Sequence, residues 1–313
     1  MAYAALDIGG TKTIAAITDE NGNILAQKKF TSFVASSETH LNLCAEALQD
    51  LAKERQLQVS DIQGLGISLP GIVDPDKGIL IYAPYAKWEN IPVADILRVK
   101  LGIKNIKCEN DVNACAIGEL KFGLGKKYSD FIWMTVSTGV GGASVSGGKL
   151  VRGAEGFAGE LGHLKVEYNH PQKCPCGQDG CLEAHASGTA LNRLTAQAAL
   201  NDPEFSSALT SAGVKADGAA CAALAQAGNE KALKIFDEIG TYLGRGISYC
   251  INVLNPQAIV VGGGVSASLE LLRPSISAAI KADAFQKMQN IDVVCTPLGY
   301  EAALIGAAAL VTE

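Results

Sequence analysis

The sequence predicts an α/β protein in which one supersecondary device is used twice, in two domains. Three observations carry this. Strand-like and helix-like segments alternate along the chain. A strand, a glycine turn and a second strand occur at Asp7-Ile8-Gly9-Gly10-Thr11-Lys12-Thr13 and again at Thr135-Val136-Ser137-Thr138-Gly139-Val140-Gly141-Gly142. The 313 residues suffice for two domains of ordinary size, and 48% hydrophobic residues can fill both cores.

The elements follow in order. Residues 4–7 are a short strand running into Gly9-Gly10. Residues 13–18 are a second strand, and Glu20-Asn21-Gly22-Asn23 is a hairpin turn, because Asn-Gly tolerates positive φ. Residues 24–30 return as a third strand. Residues 38–55 have helical periodicity. Residues 64–69 are a buried strand ended by Pro70-Gly71, and 106–108 are another, followed by Glu109-Asn110-Asp111. Residues 113–122 read as a helix, and the domains join near 113–125, giving a small domain 1–117 and a large one 118–300. The second series opens with strands at 131–136 and 143–146 and a turn at Gly147-Gly148. Helices follow at 187–200, 230–254 and 269–283, with a buried strand at 258–261 that ends in Gly262-Gly263-Gly264. Residues 302–311 are a final apolar helix.

Composition excludes several classes. The formal charge of −6 argues against nonspecific nucleic-acid binding, which is driven by phosphate neutralisation. No apolar run approaches the length of a membrane span. The first residues lack a basic region and run straight into Asp7, so no signal peptide is expected. Nine cysteines, an odd count, then point to a reducing cytoplasm. Cys44, Cys108, Cys115, Cys221, Cys250 and Cys295 sit singly and read as small buried hydrophobes. Only Cys174, Cys176 and Cys181 cluster.

The glycine turns carry the first chemistry. Glycine lets a backbone turn sharply and approach a ligand, and the freed N–H groups can bind phosphate oxygens. Thr11, Lys12 and Thr13 add hydroxyls and a cation, and the second turn adds Ser137 and Thr138. One such turn is an ordinary hairpin; two can grip a phosphate chain from opposite sides. There is no Walker A motif, since Leu124 stands where its lysine belongs. Gly262-Gly263-Gly264-Val265-Ser266-Ala267 matches the loose dinucleotide pattern, but Asp283, at the right distance, falls in a helix. A nucleoside-binding turn is the better reading.

Asp111 follows a strand and opens a helix, where a lone Asp would serve as N-cap. Beside two phosphate-type turns it is the candidate base, because phosphoryl transfer to an alcohol needs a carboxylate to take the hydroxyl proton. Asn110 can bond a neighbouring hydroxyl, and Asp7 can hold Mg²⁺ or orient Lys12. Cys174-Pro175-Cys176 with Cys181 supplies three thiolates, and zinc wants a fourth N or S ligand. His163, His170 and His185 all lie within reach, and spacing does not choose among them. Three thiolates and a histidine leave no open position, so the zinc is structural.

Together these residues resemble the ROK family of bacterial sugar kinases and related repressors. The resemblance spans nearly the whole chain, from Asp7 to the Leu304-Ile305-Gly306-Ala307-Ala308 run. Its most specific parts are Glu160-Leu161-Gly162-His163 and the cysteine cluster ending in Glu183, joined by Asn110-Asp111 and the turn at Thr138. It implies an actin-like (ribonuclease H-like) duplicated fold with a central cleft, and a last helix, 301–313, that returns to the first domain. It implies ATP with Mg²⁺ as phosphoryl donor and the 6-hydroxyl of a hexose, glucose first, as acceptor, with Asp111 as base. Gly71, Asn110, Glu160, His163 and Glu183 match the sugar-binding positions. Gly9, Gly10, Thr11, Lys12, Thr138 and Gly139 match the phosphate-binding ones, and Gly262 and Gly263 the adenosine turn. His163 becomes both zinc ligand and sugar contact, and the chain is expected to be a homodimer.

Many glucose-using relatives carry an asparagine before a Gly-Trp pair in the sugar loop, where this chain has Tyr85 and Lys87-Trp88. Glu160, which some N-acetylmannosamine kinases lack, is retained. N-acetylmannosamine, N-acetylglucosamine and fructose are therefore the alternative acceptors. A repressor of the same family would carry a helix-turn-helix domain ahead of Asp7, and an actin-like scaffold without sugar chemistry leaves Glu160, His163 and Glu183 unexplained.

Overall fold

The computed structural model describes residues 1–210 and 217–312. Residues 211–216, within the expected 118–300 domain, and Glu313, at the end of the expected 301–313 helix, lie outside them. The chain divides into two compact units. The first comprises residues 1–129, 144–158 and 296–313, and the second 130–143 and 159–295.

The first unit opens with β1 (Ala2–Ile8), β2 (Lys12–Thr18) and β3 (Ile24–Thr31), an antiparallel meander. Helix α1 (Ser37–Glu54) starts where the Ser36 hydroxyl accepts the Thr39 N–H, and it buries Leu41, Cys44, Leu48 and Leu51. Strand β4 (Ile62–Leu69) pairs with β1 in parallel. Three short strands, β5 (Ile72–Asp74), β6 (Ile79–Ala83) and β7 (Trp88–Ile91), form a small antiparallel sheet. Helix α2 (Val93–Leu101) stops at left-handed Gly102, and β8 (Ile106–Asn110) pairs in parallel with β4. Helix α3 (Asp111–Phe122) follows without a linker.

The second unit holds β9 (Phe131–Val136) and the start of β10 (Val140–Ser146), which runs on into a hairpin with β11 (Lys149–Val151). Among the described residues five α-helices follow: α4 (Leu182–Ala186), α5 (Gly188–Asn201), α6 (Pro203–Thr210), α7 (Gly218–Gln226) and α8 (Glu230–Leu254). Strand β12 (Ala258–Gly262) is parallel to β9 on one side and to β13 (Asp292–Cys295) on the other, with α9 (Leu269–Asp283) between β12 and β13 in the chain. The last helix, α10 (Ala302–Ala309), belongs to the first unit.

The duplication is visible in the strand order. One sheet runs β3-β2-β1-β4-β8 and the other β11-β10-β9-β12-β13, so a three-strand meander is extended by two parallel strands each time. β1, β4, β9 and β12 are buried almost throughout, which is why they read as unbroken apolar runs rather than alternating ones. In the first unit α10 lies against the sheet through bare backbone. A Cβ on Gly66 would strike the Ala307 carbonyl, and one on Gly306 would strike that of Ala114 on α3. Because α3 packs on α10 in this way, the whole helix lies within the first unit, beyond residue 117.

Several local expectations are corrected. Helix α3 begins at Asp111, and Asn110 is its cap: the Asn110 Oδ1 accepts the N–H groups of Val112 and Asn113. Strand β10 begins at Val140, so Gly141 and Gly142 lie in the strand and the turn is only Ser137-Thr138-Gly139. Cys295 is exposed, because β13 is an edge strand. The small β5–β7 sheet, α2, α6, α7, β11 and β13 are additions. Helix α7 reads Gly-Ala-Ala-Cys-Ala-Ala-Leu-Ala-Gln and has too few large apolar residues to mark a face.

Candidate active site

In the first unit the predicted residues gather where the parallel strands end. Strand register sets Asp7 beside Ser68 and Ser68 beside Glu109, with Asn110 beside Leu69. Ligands of open α/β sheets bind at this carboxyl end. The Ser68 hydroxyl donates to Asp7 Oδ1 at 3.1 Å. Burial raises the proton affinity of Asp7, against the lowering effects of Ser68 and Lys12. Burial, and then the charge of Asp7, lifts Asp111 to about 6. Two acids thus meet at one spot, and burial tunes both toward neutrality.

Asn110 is fully engaged in shaping the spot. Its Oδ1 caps α3, its Nδ2 donates to the Gly71 carbonyl at 3.1 Å, and its side chain also bonds the Asp111 carboxyl. Gly71 itself sits at φ +126°, and a Cβ there would collide with the Tyr82 carbonyl. Glu109, which sequence reasoning passed over, is buried and saturated. Arg152 donates to its Oε2 through both Nε, at 3.1 Å, and a terminal nitrogen, at 2.6 Å. Its Oε1 accepts from the Asn110 N–H and the Asn113 amide. This fixes the strand end from which Asp111 projects.

The Gly9–Lys12 turn joins β1 to β2. The Gly9 N–H donates to the Lys12 carbonyl at 2.9 Å, and the Tyr85 ring packs over Gly10 so closely that a Cβ there would lie 3.1 Å from it. Thr11 and Lys12 are exposed. Thr13 is not a phosphate-facing hydroxyl: it is fully buried and bonds inward. Tyr85 is pushed up to about 12 by burial and by the nearby Asp111, and its hydroxyl is buried without a partner among the described residues. Lys87, in the same loop, adopts φ +53°.

In the second unit, Glu160 and His163 flank a short 3-10 turn, Leu161–His163. The His163 Nδ1 lies 3.7 Å from Cys174 Sγ, and its Nε2 lies 3.8 Å from Glu160 Oε2. Cys176 Sγ and Cys181 Sγ are 3.8 Å apart. The ligand atoms of His163, Cys174, Cys176 and Cys181 all lie within 4.8 Å of one another. Bonds of about 2.3 Å from zinc to sulfur place tetrahedral sulfurs about 3.8 Å apart, so this set fits zinc. His163 is the histidine in the cluster. His185 is buried, where its Nε2 accepts the Gln172 N–H and its ring rests on Tyr242, while His170 is exposed.

Glu183 links this cluster to the second glycine turn. Its Oε1 lies 3.8 Å from Cys174 Sγ, and its Oε2 accepts the Val140 N–H at 3.1 Å. A Cβ on Gly139 would run into that carboxylate. Thr138, Gly139 and Glu183 share a cavity of about 550 Å³ with Lys173, Thr189 and Arg193. The two cations in this wall had no distinguishing signal in the sequence. Gly262 ends β12, and Gly263 turns at φ +86°, its carbonyl held by the Ser266 hydroxyl at 2.7 Å.

Comparison with known proteins gives a consistent picture. The ROK family model matches residues 3–313. The glucokinase of Thermotoga maritima is 32% identical, over 98% of this chain and 96% of that protein. The xylose repressor of Bacillus subtilis is 26% identical over 98% of this chain, which spans 76% of the repressor. Among solved structures, a ROK family glucokinase from Streptomyces griseus in complex with glucose and AMPPNP superimposes with a TM-score of 0.84. It is 32% identical, with 99% of each chain covered. The fold is the actin-like one of the ROK sugar kinases.

Proposed function

The chain belongs to the ROK family, and we propose that it is an ATP-dependent hexose kinase that phosphorylates the 6-hydroxyl of glucose. The observation that carries this reading is Asp111, a strand-end carboxyl lifted to about 6 beside a second acid. A base of that affinity is ionised at neutral pH and still strong enough to share the hydroxyl proton in the transition state. The full-length relationship to glucokinases supports the same acceptor.

In this reading the sugar 6-oxygen forms a bond to the γ-phosphorus as the bond to the β,γ-bridging oxygen breaks, and ADP leaves. The hydroxyl proton passes to Asp111. Glu160, His163 and Glu183 accept from or donate to the other hydroxyls, and Asn110 and Gly71 also serve the sugar. Lys12 and the N–H groups of Gly10, Thr11 and Gly139 meet the phosphates, the Thr138 hydroxyl adds a donor, and Gly262 and Gly263 give adenosine a bare surface. Asp7 is suited to Mg²⁺, since a cation there relieves the repulsion between Asp7 and Asp111; when bound, the metal neutralises charge on the phosphates.

His163, Cys174, Cys176 and Cys181 hold a structural zinc, which supplies rigidity to the wall carrying Glu183 and leaves no open position for chemistry. The enzyme works as a cytoplasmic homodimer. An ADP-release assay across glucose, mannose, fructose, allose, N-acetylglucosamine and N-acetylmannosamine tests the reading. ADP release with glucose supports it. Turnover restricted to an amino sugar or fructose reassigns the acceptor, and no turnover with any sugar overturns it.

A further inference from the structure

His40 lies on α1, fully buried, and no step above uses it. Its ring is in tilted contact with Phe30 and Trp88, at centroid distances of 5.9 and 5.7 Å. The Nδ1 accepts the Phe33 backbone N–H at 3.1 Å, and the Nε2 lies 3.0 Å from Thr13 Oγ1. Thr13 Oγ1 in turn lies 2.9 Å from Ser32 Oγ, which donates to the Gly9 carbonyl at 2.6 Å.

These contacts fix every proton in the chain. A carbonyl only accepts, and a hydroxyl has one proton to give. Ser32 spends its proton on Gly9 and so must accept from Thr13. Thr13 must then accept from the His40 Nε2. The backbone N–H at Nδ1 requires that nitrogen to be bare, so His40 is neutral with its hydrogen on Nε2. Burial agrees, lowering its affinity for a second proton to about 4. All the donors therefore point one way, from Phe33 to Gly9.

The receiving end is the turn between β1 and β2. The Ser32 N–H also donates to the Thr11 carbonyl at 3.1 Å, and the Gly9 N–H occupies that of Lys12. The carbonyls of Gly9, Thr11 and Lys12 are thus all held from within the protein. A phosphate-binding turn must offer N–H groups and keep its carbonyl oxygens, which repel phosphate, turned away. Among these three carbonyls, Gly9 is the one held by a side chain.

We propose that His40, Thr13 and Ser32 are positioning residues that hold the Gly9 carbonyl away from the nucleotide, so that the Gly9–Lys12 turn meets the triphosphate with its N–H face. This rests on the reading of that turn as a phosphate site. The chain acts at a distance through hydrogen bonds, and none of its three side chains needs to touch substrate. Losing Ser32 removes the bond to the carbonyl outright, whereas losing Thr13 or His40 leaves that bond possible and removes only the donors that orient the Ser32 hydroxyl.

The test is steady-state kinetics on Ser32→Ala, Thr13→Val, His40→Phe and the Ser32→Ala/Thr13→Val double variant, with Thr13→Ser and Ser32→Thr as conservative controls. Ser32→Ala is expected to raise KM for MgATP about tenfold, the equivalent of one lost hydrogen bond, and Thr13→Val and His40→Phe, which disturb only the orientation of the Ser32 hydroxyl, by less. KM for glucose should change less than twofold, the double variant should be no worse than Ser32→Ala alone, and both controls should keep wild-type values. Thermal protection by the nonhydrolysable analogue AMPPNP, weakened in the same variants, gives a readout independent of turnover. If the wild type turns over no hexose, the kinase reading fails, and the AMPPNP protection of the variants still decides this one. Should Ser32→Ala not fold, the near-isosteric Ser32→Cys, whose thiol is only a weak donor, reports the same link. Unchanged MgATP affinity, an equal rise for both substrates, or no nucleotide binding by the wild type would overturn the proposal.

Discussion

The proton affinity of Asp111 decides what the site can do and when. As the proposed base it must be ionised, so kcat/KM for glucose should fall about tenfold per unit as pH drops below about 6. Asp111→Asn should lower kcat by about 10²–10⁴-fold. The same residue makes a stability prediction of opposite sign. Its folded affinity is raised above the ordinary carboxylate value of 3.8, so ionising it opposes folding. That penalty is fully present above about pH 6 and disappears as pH falls toward 4. Asp111→Asn should therefore raise Tm at pH 7 and lose that advantage near pH 4; a lower Tm at pH 7 would contradict the burial argument. Lys87 offers a second check. Its φ of +53° is a left-handed conformation that disfavours side chains by about 1–2 kcal/mol. Lys87→Gly should leave urea stability unchanged or raise it by up to about 1 kcal/mol, and a loss of that size would argue against the assigned conformation. The place of Asp111 was legible in the sequence because a strand-end acid opens a helix. The division of labour with Asn110 was not, since either residue type can cap.

The cysteine loop was legible as a cluster because Cys-x-Cys-x₄-Cys is a local pattern. Its histidine, His163, was legible through the family resemblance and not through spacing, because the choice depends on tertiary pairing. Lys165 bridges Cys181 antiparallel, and the Leu182 N–H donates to the Leu164 carbonyl, which carries His163 alongside the thiols. Elemental analysis should find one zinc per chain. Chelation or Cys181→Ser should lower Tm by several degrees and raise KM for glucose about tenfold or more, in line with losses seen when metal supports are removed. Full stability and an unchanged KM after complete chelation would show the cluster to be a set of reduced thiols. The α3–α10 contact is the other element-scale test. With the Gly306 Cα against the Ala114 carbonyl, Gly306→Val should cost about 1–3 kcal/mol or more in urea unfolding, as overpacking does. A neutral effect would mean that α10 does not seat there.

At the scale of the whole molecule, a single plan is repeated. Each sheet is a meander extended by two parallel strands, and each places a glycine turn between its first two strands, at Gly9–Thr11 and at Ser137–Gly139. The sequence revealed this through the turns rather than through residue-by-residue similarity, because a turn constrains residue type while a buried strand accepts any apolar run. The β5–β7 sheet escaped notice for the converse reason: its strands are three to five residues long and partly exposed. The activity proposed for this plan turns on one acid, Asp111, at the end of the first sheet's parallel strands. The most direct test is ADP release by wild type and Asp111→Asn with MgATP and glucose, with the sugar product identified. The account predicts glucose 6-phosphate from the wild type and a rate at least about 100-fold lower from the variant. Wild-type ADP release without phosphorylated hexose, or a variant that keeps the full rate, would contradict it.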